Sequence, residues 1–288
     1  MIDLHFHSTC SDGRMTPRQW SEQIINNKIK YCALTDHDSV DGILEMKEFL
    51  KDTEINFING VELTALYKKQ EIHVLIYDFD LLFMKKLLKE RYRLVEEQRV
   101  QELKKTIELF KKEGFNIDNN LKLNPKKPVG LIVALHIYSQ ESNQKFLIEK
   151  HGHLLDEKEF FDLYQSSKAP CYVPRSGVNI DWILERLSGV VDNIILAHPF
   201  VPVSFLVKPL TKKDINDLIQ KGITGIEVYH SLTSFQDIEY LEKFVHNNNL
   251  FYTGGSDSHG KEKDVKNGYY NDEDRIPSFK LKNIEFIK

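Results

Sequence analysis

The sequence predicts an α/β fold built on a parallel sheet, closed or open. Three observations predict it. Short apolar runs of strand length alternate with amphipathic helical stretches towards both ends of the 288-residue chain, the pattern of repeated β–α units. Histidines and carboxylates recur where those apolar runs end. A Lys/Glu-rich segment between about residues 82 and 168 interrupts the alternation and resumes none of it until its end.

The elements follow in order. Ile2 to His7 alternates in polarity and predicts a strand. Thr16-Pro17 opens a helix, with Thr16 as N-cap and Pro17 at the first helical position, running through Trp20, Ile24 and Ile25. Tyr31 to Leu34 predicts a short buried strand that runs into Thr35-Asp36-His37-Asp38, and a helix covers Ile43 to Phe49. Ile55 to Val61 and Ile72 to Tyr77 predict a third and a fourth strand. Leu82 to Gly114 has helical spacing throughout and ends at a plausible glycine C-cap. Helices at Pro128 to Ser139 and near Glu157 to Tyr164 complete the insertion. Its apolar spacing is not a clean heptad repeat, which weighs against a coiled-coil partner surface. Beyond it come a helix at Asp181 to Leu187, a strand at Asn193 to Ala197, a helix at Asp214 to Gln220 and a strand at Gly225 to Tyr229. A helix at Phe235 to Asn247 and a strand at Leu250 to Thr253 close the pattern. The domain expectation is therefore a barrel or open sheet over 1–81 and 169–288, with a helical insertion over 82–168 expected to form a cap.

Composition narrows the function classes. Lys and Arg total 39 against 43 Asp and Glu, a formal charge of −4. That gives no electrostatic reason to expect tight duplex DNA binding. Three cysteines, with no C-x-x-C pair, predict no disulfide framework and fit a reducing compartment. Met-Ile-Asp-Leu-His lacks the basic and apolar segments of a signal peptide. No apolar stretch approaches the roughly 18–20 residues of a membrane span. A soluble cytoplasmic protein is expected.

The 11 histidines carry the chemical signal. His5 and His7 sit one residue apart on a strand, so they share a face and form half a metal site. Asp12 lies in the following turn, His37 and Glu62 end the second and third strands, and His73 lies in the fourth. His198, Asp257 and His259 end later strands. In a β/α barrel such ends converge on one face. Nine unpaired His, Asp and Glu residues there would carry large desolvation costs, which a metal cluster would offset. Imidazole with carboxylate suits Mn, Fe or Zn.

Taken together, His5-Phe6-His7-Ser8, Ser11-Asp12-Gly13, Thr16-Pro17, Thr35-Asp36-His37-Asp38, Gly60-Val61-Glu62, Ala197-His198-Pro199 and Gly255-Ser256-Asp257-Ser258-His259-Gly260 resemble the PHP (polymerase and histidinol phosphatase) superfamily. The resemblance implies a distorted (β/α)7 barrel with two to three divalent metals. It implies one site from His5, His7, Glu62 and Asp257, a second from Glu62, His73 and His198, and a third from Asp12, His37 and His259. Length, the S-D-G-x-x-T-P form and the insertion look most like the small stand-alone phosphoesterases, including nucleoside 3′,5′-bisphosphate phosphatases and 5′-end ribonucleases. The implied activity is hydrolysis of a phosphomonoester of a nucleotide or short oligonucleotide by metal-activated hydroxide held by the same ligands. Metal-independent nucleophilic chemistry at Cys10 is less expected than packing of a small residue.

Other residues are candidates of a softer kind. Arg175 could fork to a substrate phosphate or make a surface ion pair. Tyr172 could stack a base or fill the core. His136, in the insertion, and His230, at a strand end, could contact substrate. Asp36 and Asp38 could orient His37 or cap a helix. The rivals are a histidinol-phosphate phosphatase, an amidohydrolase barrel, and a non-catalytic PHP binding module. The amidohydrolase pattern gives no reason for Asp12, His37 and His259 together, and a non-catalytic module would have lost ligands.

Overall fold

The computed structural model describes residues 1–124, 127–202 and 208–286. The chain divides into two compact units, Met1–Lys89 with Val178–Lys288, and Glu90–Gly177.

The first unit is mixed α/β. A parallel three-stranded sheet joins β1 (Ile2–Asp3), β2 (Tyr31–Cys32) and β3 (Asn56–Phe57). A second sheet contains β4 (Gly60–Tyr67), β5 (Gln70–Tyr77), β6 (Asn193–Leu196), β7 (Gly225–His230), β8 (Phe251–Gly255), β9 (Phe279–Leu281) and β10 (Ile284–Phe286), ordered β10-β9-β8-β7-β6-β5-β4. Backbone bonds link the two sheets at both margins. Leu4 N–H donates to Gly254 O, Asp257 N–H to His5 O and His7 N–H to Ser258 O, at 3.2, 2.8 and 2.9 Å. On the other side Asp38 N–H donates to Glu62 O at 2.8 Å, and Glu62 N–H to Asp36 O at 3.3 Å.

The expectation of an all-parallel sheet is corrected. β4 pairs antiparallel with β5, and β5 with β6, while β6, β7 and β8 are parallel. The reason is the connection: Tyr67 pairs with Gln70, leaving only Lys68 and Lys69 between the strands, both at positive φ (50° and 67°). A two-residue turn of that kind can join only antiparallel neighbours. The single strand expected over Ile55–Val61 is two strands in different sheets, and Glu62 lies inside β4 rather than at a strand end.

Helices cover these strands by apolar faces at helical spacing. α1 (Pro17–Asn26) starts as expected, with Thr16 and Gln19 in a reciprocal capping box and Pro17 at the first position. Its Trp20 and Ile24 pack with Phe6, Cys32, Leu34 and Met46, the last from α2 (Ile43–Leu50). α3 (Leu81–Lys112) ends before Gly114, whose φ of 98° suits a residue without Cβ.

In the second unit α4 (Val129–Ser139), α5 (Glu141–His151) and α6 (Glu157–Phe160) enclose an aromatic core. A π-helical turn, Phe161–Gln165, continues α6. Phe110 and Phe160 stack at 5.7 Å, and Phe115 meets Tyr164 edge-on at 5.1 Å. Phe110→Ala is expected to destabilise this unit by about 3–5 kcal/mol, the range for truncating a buried Phe, because its ring is fully buried. Urea unfolding followed by circular dichroism reads this; a shift under about 1 kcal/mol would mean the core collapses around the gap.

The later helices of the first unit are α7 (Ile180–Leu187), α8 (Lys212–Lys221) and α9 (Phe235–Asn247). Each buries one apolar stripe, as in Ile180, Ile183, Leu184 and Leu187 of α7. No described helix is long and apolar enough to cross a membrane.

Candidate metal centre

The site is assembled on the extension of β1. Strand alternation sends Asp3, His5 and His7 to one face, and all three are fully buried. β8 passes so close that a Cβ on Gly255 would lie 2.1 Å from that of His5, so only glycine fits there. Asp3 clamps the segment before Asp257. It accepts hydrogen bonds from Ser256 N–H and Oγ–H, Asn267 Nδ2–H and Gly268 N–H at 2.8–3.1 Å. Trp20 Nε1–H donates to His7 O at 2.8 Å and anchors α1 to the same strand.

The loop carrying Asp12 is shaped by Asp36, which accepts from Ser8 N–H, Ser8 Oγ–H and Ser11 Oγ–H at 2.7, 2.7 and 2.5 Å. Asp38 accepts from Thr64 N–H of β4 at 3.0 Å. Neither aspartate caps a helix: the N-cap of α2 is Gly42, with no side-chain cap. Both therefore brace the segments around His37.

Glu62 is the hub. Its Oε2 lies 3.2 Å from His5 Nε2, 3.2 Å from His7 Nε2 and 3.1 Å from His37 Nδ1. Its Oε1 lies 2.9 Å from His73 Nδ1 and 3.1 Å from His198 Nε2. Asp257 Oδ1 is 2.9 Å from His7 Nε2 and 3.3 Å from His5 Nε2. Asp12 Oδ2 is 3.3 Å from His259 Nε2, and Asp12 Oδ1 is 4.0 Å from both His7 and His37. Three overlapping donor groups result: His5, His7, Glu62 and Asp257; His37, Glu62 and His73; and His7, Asp12, His37 and His259. All nine residues singled out in the sequence thus come together: eight fall in these groups, with His7, His37 and Glu62 each in two, and His198 joins through its contact with Glu62.

The protein alone does not satisfy this cluster. Nδ1 of His7, His37 and His73 is buried without a hydrogen-bond partner. For His37 and His73 a Glu62 oxygen is near but out of hydrogen-bond alignment. Buried polar atoms are almost always paired, so orphaned imidazole nitrogens facing carboxylates fit the donor set of a divalent cation. Burial would raise Glu62, yet His37, His5 and His73 hold it well below the usual carboxylate range. Burial likewise opposes Asp257, which His5, His230 and His7 hold well below its ordinary value. Against the desolvation that lowers them, Asp257 and Glu62 push His7 up to about 9, and Glu62 with Glu71 pushes His73 up to about 10. Burial drives His37 down to about 3. The centre is charged, buried and incompletely paired.

Ring orientation adds detail. His259 Nδ1 lies 2.9 Å from Asp257 O, so it donates there and leaves Nε2 free towards Asp12. His230 is buried beside the cluster, where the sequence placed a substrate contact. Its Nδ1 accepts from Leu232 N–H at 3.2 Å, so its proton sits on Nε2 and is donated to Asp257 Oδ2 at 3.2 Å. Arg175 is exposed in the second unit, where Tyr172 is half-buried. His136 lies in α4 of that unit, its Nε2 accepting from Asp118 N–H at 3.3 Å. Cys10 is half-buried, and burial raises its thiol above the ordinary range, which disfavours a nucleophile.

Sequence reasoning missed two buried carboxylates. Asp3 was legible as a charge inside an apolar strand, on the face of His5 and His7. Glu227 was legible only as a charge between the apolar Ile226 and Val228 of β7. It accepts from His5 Nδ1–H at 2.8 Å and from His198 N–H at 2.9 Å.

A family model described as PHP domain matches residues 3–276. The chain is 24% identical over 262 residues to a 3′,5′-nucleoside bisphosphate phosphatase of Chromobacterium violaceum, covering 90% of this chain and 87% of that one. It is 25% identical over 198 residues to a 5′-3′ exoribonuclease of Haemophilus influenzae, covering 68% of each. Among solved structures it resembles a Bifidobacterium adolescentis protein described as a metal-dependent phosphoesterase. The TM-score is 0.60 at 22% identity, over 96% of this chain and 91% of that one; at that identity the likeness speaks to fold.

Proposed function

The chain belongs to the PHP family, and on that premise we propose that it is a metal-dependent phosphoesterase that hydrolyses a phosphomonoester of a nucleotide or short oligonucleotide. One observation carries the reading: nine His, Asp and Glu side chains converge around Glu62, with three buried imidazole nitrogens left unpaired. The two margins of backbone bonding, at Phe6–Ser258 and His37–Glu62, support reading the two sheets as one distorted barrel.

In this reading His5, His7, Glu62 and Asp257 hold one cation, Glu62, His73 and His198 a second, and Asp12, His37 and His259 a third. Such cations supply positive charge to phosphoryl oxygens and acidify water near neutral pH. The residues do the rest. Glu62 and Asp257 keep the cations close without neutralising them fully. Asp12, on the exposed side of the cluster, leaves that side open to an anionic substrate. Ser8 and Ser11 hydroxyls donate to Asp36, so neither is offered as a nucleophile, and attack by water is the economical route. The named relatives act on a nucleoside bisphosphate and on RNA, both phosphate esters of nucleotides, which supports a nucleotide substrate here.

A phosphate-release panel tests the proposal. Nucleoside 3′,5′-bisphosphates, mononucleotides, short 5′-phosphorylated RNA and histidinol phosphate are compared with Mn, Zn or Fe and with chelator. Release from the nucleotide substrates, abolished by chelator, is expected, with two to three equivalents of metal by elemental analysis. Histidinol phosphate as the preferred substrate would overturn the substrate class. Activity indifferent to chelator, in protein shown to be metal-free, would overturn the mechanism.

A further inference from the structure

We propose that Glu227 is a positioning residue that fixes, with a single carboxylate, the coordinating state of His5 and the backbone of His198. The inference rests on the metal-dependent reading above. Glu227 is fully buried in β7, where an unsatisfied carboxylate would be costly. Both of its oxygens are engaged: Oε1 with His5 Nδ1 at 2.8 Å, Oε2 with His198 N–H at 2.9 Å. It belongs to none of the three donor groups. Its two bonds instead reach residues assigned to two different cations.

The first bond sets a tautomer. A carboxylate only accepts, so the His5 proton facing it must sit on Nδ1. Nε2, which faces Glu62 Oε2 at 3.2 Å and Asp257 Oδ1 at 3.3 Å, is then the nitrogen that would offer its lone pair to a cation taking the place of its proton. That is the arrangement by which outer carboxylates orient metal-binding imidazoles. The second bond holds a strained backbone. His198 has φ 25°, which L-residues with a Cβ rarely adopt. The strand register of β7 shifts between Glu227 and Tyr229, the kind of irregularity that re-aims a side chain.

Glu227→Gln separates the two bonds without changing size. If the amide oxygen keeps His198 N–H, the amide NH2 faces His5 Nδ1. The imidazole proton is then driven to Nε2, where it blocks coordination. If the amide turns over, NH2 meets the N–H of His198 and that segment loses its acceptor. Either way one proposed ligand is misplaced.

The test uses the full chain. Mn or Zn affinity is measured by competition with a chromogenic chelator, and the His5 tautomer by nitrogen-15 NMR of histidine-labelled, Zn-loaded protein. The expected result for Glu227→Gln is metal binding about 10- to 100-fold weaker, with the melting temperature in chelator near that of wild type. A role in packing alone would instead lower that melting temperature and leave the affinity of the folded protein unchanged. Affinity within about twofold of wild type overturns the proposal. Should the Gln variant not fold, Glu227→Asp keeps the charge one methylene short and is expected to bind metal more weakly; unchanged affinity there overturns it equally. Wild-type protein that binds neither Mn nor Zn overturns the metal-dependent reading, and this inference with it. Wild type that binds metal and releases phosphate, beside an unaffected Glu227→Gln, overturns this inference alone.

Discussion

Glu62→Gln is expected to lower kcat/KM for the best nucleotide substrate by about 10³-fold or more, with the fold intact. Removing a single electrostatic stabiliser from an active site costs about 10²- to 10³-fold, and Glu62 serves more than one proposed cation. Five imidazoles lie within 3.2 Å of its two oxygens. Gln has nearly the same shape but no charge, and one of its two terminal atoms becomes a donor. That donor would face imidazole lone pairs meant for metal. The metal-free fold tolerates the change because the histidines now raised by Glu62 can release their protons at neutral pH. Steady-state kinetics at saturating Mn, with circular dichroism of the same preparation, check both halves. A variant keeping more than a tenth of wild-type activity would remove Glu62 from the centre of the mechanism.

The contrast between Glu62 and Glu227 explains what the sequence makes legible. Glu62 follows Gly60-Val61 in a run that matches a family pattern, and strand alternation already pointed His5 and His7 to a shared face. Residues whose role is local in sequence were therefore readable: the capping box at Thr16, the C-terminal Gly114, the paired imidazoles. Glu227 and Asp3 act across the fold. Glu227 contacts residue 5, far away in sequence, and nothing near it marks the partner. The β4–β5 hairpin was hidden for another reason. Its turn is Lys68-Lys69, both at positive φ, where Asn-Gly or Asp-Gly would have signalled a reversal. α5 was missed because Phe146, Leu147 and Ile148 stand consecutively and give no helical period. Only Leu147 of the three is fully buried, so tertiary packing selects a face that the pattern does not announce.

His37→Ala and His259→Ala are each expected to cost about a hundredfold or more in kcat/KM, while His246→Ala changes it by less than about twofold. The cation proposed for Asp12, His37 and His259 has the thinnest protein support. Asp12 is exposed, and it is 3.3 Å from His259 but 4.0 Å from His37. His7 is within reach of the same group, yet its Nε2 is already turned to Asp257 at 2.9 Å. Losing either His37 or His259 leaves one imidazole and one exposed carboxylate, too few to hold a dication against water. His246 is exposed at the end of α9, its ring beside that of Tyr252 at 5.6 Å and away from the donor groups, so it controls for loss of a histidine as such. Both site variants should keep a melting temperature near wild type once metal is removed with chelator, because bound metal stabilises only the folded state. The two losses also differ in kind. His37 Nδ1 lies 3.1 Å from Glu62, so His37→Ala should also weaken the neighbouring cations, whereas His259→Ala should spare them. Metal counts by elemental analysis would then fall further for His37→Ala than for His259→Ala. Near-normal turnover in both variants would show that two cations suffice, and the hydrolysis would be carried by the group around Glu62 alone.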